Sequence, residues 1–276
     1  MISLLLELAM KENPILNDIN ISVANGVVDL SRYTFLEPIS VGHLAIACKL
    51  NNSLIDISKC SGNAASFLSR MNFYEYIGIH DVFGSNQYVG NNQNTLEIND
   101  ANNSNFEVFD RVNGILSGEP EKNITTIERL LAELVTNVEM YADFGVVVGQ
   151  VISRVLHLVV VDKGPGIVSH LRGAGMFSGL TDDKVILESL KKGVTSGRGR
   201  GFGLWQTHEV LKKNGGVLLI RSENQLVDGV SNTCYNASSS WLGTSVELRY
   251  NLDKPVDFNE ILGIQDANGV SNEFGF

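Results

Sequence analysis

An α/β protein with two units is the architecture this sequence predicts, and three observations carry the prediction. Short apolar runs that fit strands alternate with apolar helical segments in the first third of the chain. In the second half a long amphipathic helix is followed by β-branched runs. Between them lies a stretch rich in Asn that breaks both periods. The length, 276 residues, suits two modest domains at roughly 100–200 residues each. The predicted boundaries are a smaller α/β domain over 1–84, an Asn-rich linker over 85–110, a larger α/β sandwich over 111–253 and a tail over 254–276. The sandwich is expected to have a largely antiparallel sheet with one face covered by helices.

Each element has its own signal. Gly26–Leu30 and Ser53–Ile57 read as strands, and Val41–Leu50 and Ala64–Met71 as helices. Beyond the linker, Thr125–Ala142 is the clearest helix: Ile127, Leu130, Leu131, Leu134, Val138 and Tyr141 recur at steps of three and four. Thr125 with Glu128 offers a capping box at its start. Val146–Ile152 and Val155–Val161 read as a β-hairpin. Leu204–Asn214 reads as a helix stopped by Gly215-Gly216, and Val217–Ile220 and Ser245–Leu248 as two further strands.

Composition narrows the classes. With 43% hydrophobic and 19% charged residues the chain reads as globular rather than disordered or fibrous. A net charge of −10 argues against a surface that coats nucleic acid or an anionic membrane. Cys48, Cys60 and Cys234 have neither close pairing nor a Cys-x-x-Cys, so no disulfide framework or zinc knuckle is expected and a reducing cytoplasm fits. Met1–Met10 is apolar, but it lacks a basic start and contains Glu7, so it reads as a short helix and not a secretory leader. No run of apolar residues is long enough for a membrane span.

Three segments carry chemistry. Glu133 and Asn137, four residues apart on the predicted long helix, project from one face and bring a carboxylate and an amide oxygen to one place. Asp162-Lys163-Gly164-Pro165-Gly166-Ile167 puts an acid at a strand end before a glycine turn, where a carboxylate can accept from an exocyclic amine and the backbone can approach a ligand closely. Gly197-Arg198-Gly199-Arg200-Gly201-Phe202-Gly203-Leu204 runs straight into a helix, so successive backbone N–H groups and the helix dipole suit phosphate. Arg198 and Arg200 could add charge there.

Better-known glycine motifs do not fit. The frame from Gly199 places Leu204 where a dinucleotide fingerprint needs its last glycine, and the strand follows instead of preceding. There is no P-loop, and the eukaryotic-type protein-kinase signatures are absent. His208-Glu209 starts like a zinc-protease motif, but position 212 is Lys. His43, His80, His157, His170 and His208 therefore read as surface or packed histidines.

In order, Glu-x-x-x-Asn on a helix, Asp-x-Gly-x-Gly after a strand, a multi-glycine box into a helix, and Gly243-Thr244 before a strand resemble the gyrase, histidine-kinase and MutL (GHKL) ATPase superfamily. The resemblance implies a Bergerat-type sandwich that binds ATP with Mg2+. It implies that Asn137 ligates the magnesium and that Glu133 is the general base or orients the ion's shell. It implies that Asp162 recognises the adenine amine, with Gly164 and Gly166 in the turn beside it, Gly166 giving the base room, and Thr244 supporting it through a water. Gly199, Gly201, Gly203 and the adjoining Leu204 are assigned to the triphosphate, with the segment between Ile167 and Gly197 as a lid.

Upstream, Val28 to Gly42 resembles the strand-turn-helix core of STAS domains, the fold of anti-sigma-factor antagonists, and Phe67–Phe73 resembles that family's closing helix. Phosphorylatable antagonists carry a serine at the helix start, where this chain has Pro38-Ile39, so the domain is expected to dock or dimerise. Ser40, one residue later, is the remaining candidate acceptor. Together these imply a cytoplasmic regulator, an ATP-dependent switch that meets a protein partner such as a STAS-like antagonist, a sigma factor or an effector, with self-association as a homodimer a further expectation. A serine kinase of the anti-sigma-factor type and a catalytically inert nucleotide sensor are the alternatives.

Overall fold

The computed structural model describes residues 30, 33, 35–51, 60–79, 94–101, 106–197 and 203–263. The protein is α/β, built on a five-stranded sheet of order β1-β2-β3-β5-β4 in which every pair is antiparallel. The strands are β1 (Thr95–Asp100), β2 (Gly145–Ile152), β3 (Val155–Asp162), β4 (Val217–Asp228) and β5 (Thr233–Asn251). The helices are α1 (Pro38–Asn51), α2 (Gly62–Arg70), α3 (Phe73–Tyr76), α4 (Phe106–Ile115), α5 (Glu121–Tyr141), α6 (Ile167–Gly173), α7 (Asp182–Ser189), α8 (Gly203–Asn214) and α9 (Phe258–Leu262).

Both faces of the sheet are covered, where one covered face was expected. Val147, Leu158, Val160, Ile220, Val246 and Leu248 point to one side and pack with buried residues of α4 to α9. Val146, Val148, Val159 and Val161 point to the other and pack with α1, α2 and α3. Strands buried on both faces are apolar at successive positions instead of alternating, which accounts for Val146-Val147-Val148 and for Leu158 to Val161. The N-terminal helices thus share their core with the sheet of the C-terminal half. The two strands expected at Gly26–Leu30 and Ser53–Ile57 lie outside the described residues, apart from Leu30.

Helix α1 is buried at every position from Pro38 to Cys48, as a helix apolar all round must be. Where it enters, a polar strip crosses the sheet. Glu247, fully buried on β5, takes Arg249 Nε at 2.8 Å and faces His157 Nδ1 at 3.1 Å, while Arg249 reaches Glu37 Oε2 at 3.4 Å. Burial by itself would raise the Glu247 carboxyl, but Arg249 and His157 outweigh it and hold it down to about 2. Ser40, in the first turn of α1, is fully buried, so its hydroxyl is closed to a modifying enzyme in this arrangement.

Three local expectations change. The stretch read as linker over 85–110 contains edge strand β1 and the start of α4. The register of β1 shifts between Leu96 and Asn99, so Leu96 packs on one face and Ile98 on the other, and this bulge hides the strand period. Helix α5 starts at Glu121 behind Pro120, placing Thr125 inside the helix and not at a capping box. A proline has no N–H to lose, so it is well tolerated at a helix start. The first part of the tail is core: Thr126 donates to the Val256 carbonyl at 2.8 Å, Val256 N donates to the Tyr250 hydroxyl at 3.0 Å, and Phe258 is buried. The hairpin of β4 and β5 also extends well past the short runs read from sequence.

Candidate functional site

A cavity of about 450 Å³ opens between α5, the β3 end, α6 and the start of α8. Small-molecule sites typically span roughly 300–1,000 Å³. Glu133, Asn137, Asp162, Gly166, Gly203, Leu204 and Thr244 all line it, and Gly164, just outside the lining, donates its N–H to Asp162. The structure therefore brings the described members of the expected set, apart from Gly164, into one space. Gly199, Gly201, Arg198 and Arg200 lie outside the described residues.

The helix α5 contributes because its apolar stripe, including Leu130, Leu131, Leu134 and Val138, faces the sheet. Glu133 and Asn137 flank that stripe and look along the sheet surface into the cavity. Glu133 is half-buried, and burial raises its carboxyl above the ordinary range. Gly203 opens α8 against it: a Cβ at this position would stand 2.6 Å from Glu133 Oε2.

Asp162 sits at the last position of β3, paired across the ladder with Gly145. Its Oδ1 accepts from Gly164 N at 2.7 Å and from Thr244 N at 3.0 Å. Burial pushes its carboxyl up to about 6 against the lowering pull of these amides and of the Thr244 hydroxyl. Gly166 adopts φ 78°, a left-handed conformation that favours glycine, and a side chain there would meet Ser222 Oγ at 2.7 Å. The turn can keep this shape only with glycine. Lys163 turns away from the cavity, its Nζ 5.1 Å from the centre of the Trp241 ring.

Several wall residues carry no sequence motif. Tyr141 follows Asn137 by one turn of α5, and its ring lies 4.6 Å from that of His170 on α6. His170 Nε2 pairs with Ser196 Oγ at 2.5 Å, tying the segment before the glycine box to α6. Read from sequence as a surface or packed histidine, His170 is instead part of the cavity wall. Tyr141 could have been found from its i, i+4 spacing to Asn137, but the same spacing extends the apolar stripe. His43 is a packed histidine, fully buried, and His208 is half-buried beside Glu209 at 3.3 Å. His80 lies outside the described residues.

Among the described residues no cluster of three or more His, Cys, Asp or Glu side chains could hold a metal, and no helix is long and apolar enough to cross a membrane. Cys48, Cys60 and Cys234 are free thiols. No protein-family model, curated protein or solved structure matches this chain.

Proposed function

We propose that the chain is a Mg2+-dependent ATP-binding switch of the GHKL type, with a Bergerat-type nucleotide fold in its C-terminal half. The observation that carries this reading is the single cavity lined by Glu133, Asn137, Asp162, Gly166, Gly203 and Thr244, contributed by separate stretches of sequence. Asp162 offers a buried carboxylate preset by backbone amides, suited to an exocyclic amine. The start of α8 offers backbone N–H groups and a positive dipole end for phosphate. Asn137 would hold Mg2+ through its amide oxygen, and the ion would neutralise phosphate charge. An ion held by one protein amide, phosphates and water needs no cluster of carboxylates or histidines.

Glu133, with its raised carboxyl beside Gly203, is the group placed to take a proton from an attacking water or hydroxyl. The STAS-like N-terminal segment is the proposed docking module for a protein partner. Binding of a labelled ATP analogue with Mg2+ tests the reading: it is expected to be lost in Asp162→Asn and Asn137→Ala. Unaltered binding in both variants refutes the site. Phosphate release or transfer to a partner serine that disappears in Glu133→Ala while binding persists identifies an enzyme. Binding without either identifies a sensor.

A further inference from the structure

Trp241 is not part of the cavity lining, yet it touches the residue on which base recognition depends. It is 2% exposed, and its indole Nε1–H donates to the Asp162 carbonyl oxygen at 3.2 Å. This bond lies just past the pair Val161–Ser245, the last of the β3–β5 ladder. The Thr244 amide meanwhile holds the Asp162 side chain. Main chain and side chain of Asp162 are therefore both tied to one short stretch of β5.

The opposite side of Trp241 is held by α1. The His43 imidazole meets the indole edge-on, with ring centres 4.5 Å apart and planes at 69°. His43 Nδ1 lies 2.8 Å from the Ile39 carbonyl, which can only accept, so the ring proton sits on Nδ1. Its Nε2 is buried without a hydrogen-bond partner among the described residues. Burial, and after it the charge of Arg221, lower the ring to about 3 against the raising pull of the Ile39 contact, so it is neutral at physiological pH. Gly42 allows this close seat: a Cβ there would stand 2.8 Å from Val161 Cγ2, on the residue before Asp162. Leaving a buried nitrogen unpaired is costly.

We propose that Trp241 is a positioning residue for Asp162, and that His43 sets Trp241, so that the seating of α1 on the sheet tunes how well the cavity reads the base of its nucleotide. The inference rests on the ATP reading of the cavity. It gives the N-terminal segment a direct physical line to that site, from His43 through Trp241 to Asp162, through which a partner that moves α1 would change nucleotide affinity.

The test compares Mg2+-ATP with the otherwise identical triphosphate lacking the 6-amino group, titrated calorimetrically into the full chain. Trp241→Phe keeps an aromatic ring and removes the N–H. It is expected to weaken ATP binding by roughly 3- to 10-fold, the scale of one hydrogen bond, and to leave binding of the triphosphate without the 6-amino group unchanged. His43→Ala is expected to reproduce this split, and His43→Phe, which restores a ring edge, to recover ATP affinity. Leu68→Ala, a cavity on α2 in the same core, is the control for simple destabilisation and is expected to show no split. Equal losses for both nucleotides, no loss for either, or a split in the Leu68 control would overturn the proposal. Failure of the unsubstituted chain to bind ATP would overturn the nucleotide reading itself, and this inference with it.

Discussion

Acidification should weaken the binding of ATP more than that of the otherwise identical triphosphate lacking the 6-amino group, with a midpoint set by Asp162. The ionised carboxylate accepts from the adenine amine more strongly than the protonated acid, which carries an O–H donor in place of one acceptor, and burial pushes its pKa up to about 6. At pH 5 roughly a tenth of the free protein is then ionised, so ATP affinity falls by up to about tenfold from its value at pH 7.5. Protonation of the phosphates weakens both nucleotides alike, so the ratio of their affinities isolates Asp162. Calorimetric titrations at constant ionic strength and saturating Mg2+, from pH 5 to 7.5, measure it. A ratio that stays flat across this range would refute the argument that this carboxylate reads the amine. The same shift has a stability consequence of opposite sense. The folded protein holds the Asp162 proton more tightly than the unfolded chain, whose ordinary value is 3.8. The stability from that proton is present below about pH 4 and is lost as pH rises through about 6, a difference of up to about 3 kcal/mol. Asp162→Asn is therefore expected to raise the melting temperature at pH 8 while abolishing ATP binding.

Two further outcomes follow from the packing. Gly203→Ala places a methyl against the Glu133 carboxylate; because that carboxylate ends a flexible side chain, thermal stability should hold or rise by up to about 1 kcal/mol from better helix propensity, whereas any phosphate release should fall at least tenfold, and unchanged release would remove Glu133 from the chemistry. Tyr250→Phe deletes the hydroxyl that donates to Asn123 Oδ1 at 3.0 Å and accepts from Val256 N at 3.0 Å, leaving two buried groups unpaired at a cost of about 2–4 kcal/mol, read by urea denaturation.

What the sequence disclosed follows the range of the interactions involved. Glu133 and Asn137 were legible because both lie on one helix whose stripe repeats every three to four residues. The Asp162 turn was legible because its glycines are adjacent in sequence. The second covered face was encoded in Val146-Val147-Val148 and in α1, apolar on all sides, but a β-branched run by itself does not say what lies on each side of it. β1 was lost to a bulge that interrupts its alternation among asparagines. Trp241 was out of reach for another reason: its bond to Asp162 joins positions 79 apart, and no local pattern marks such a pair. His170 likewise acquires its place only when Ser196, 26 positions on, folds back against it.

The clasp between Glu37 and Arg249 joins positions 212 apart, and this has a bearing on how the chain is made. During synthesis, α1 leaves the ribosome long before β2, β3 and β5, the surfaces that bury it, have been translated. A helix apolar on every side has no stable solitary state in water. Until β5 has emerged it must be sheltered by transient partners or remain unformed, and its final seating waits on that strand. Such late, long-range closure is slow. Assembly of the central layer and completion of the cavity beneath it are thus expected to finish as one event, once β5 has been made.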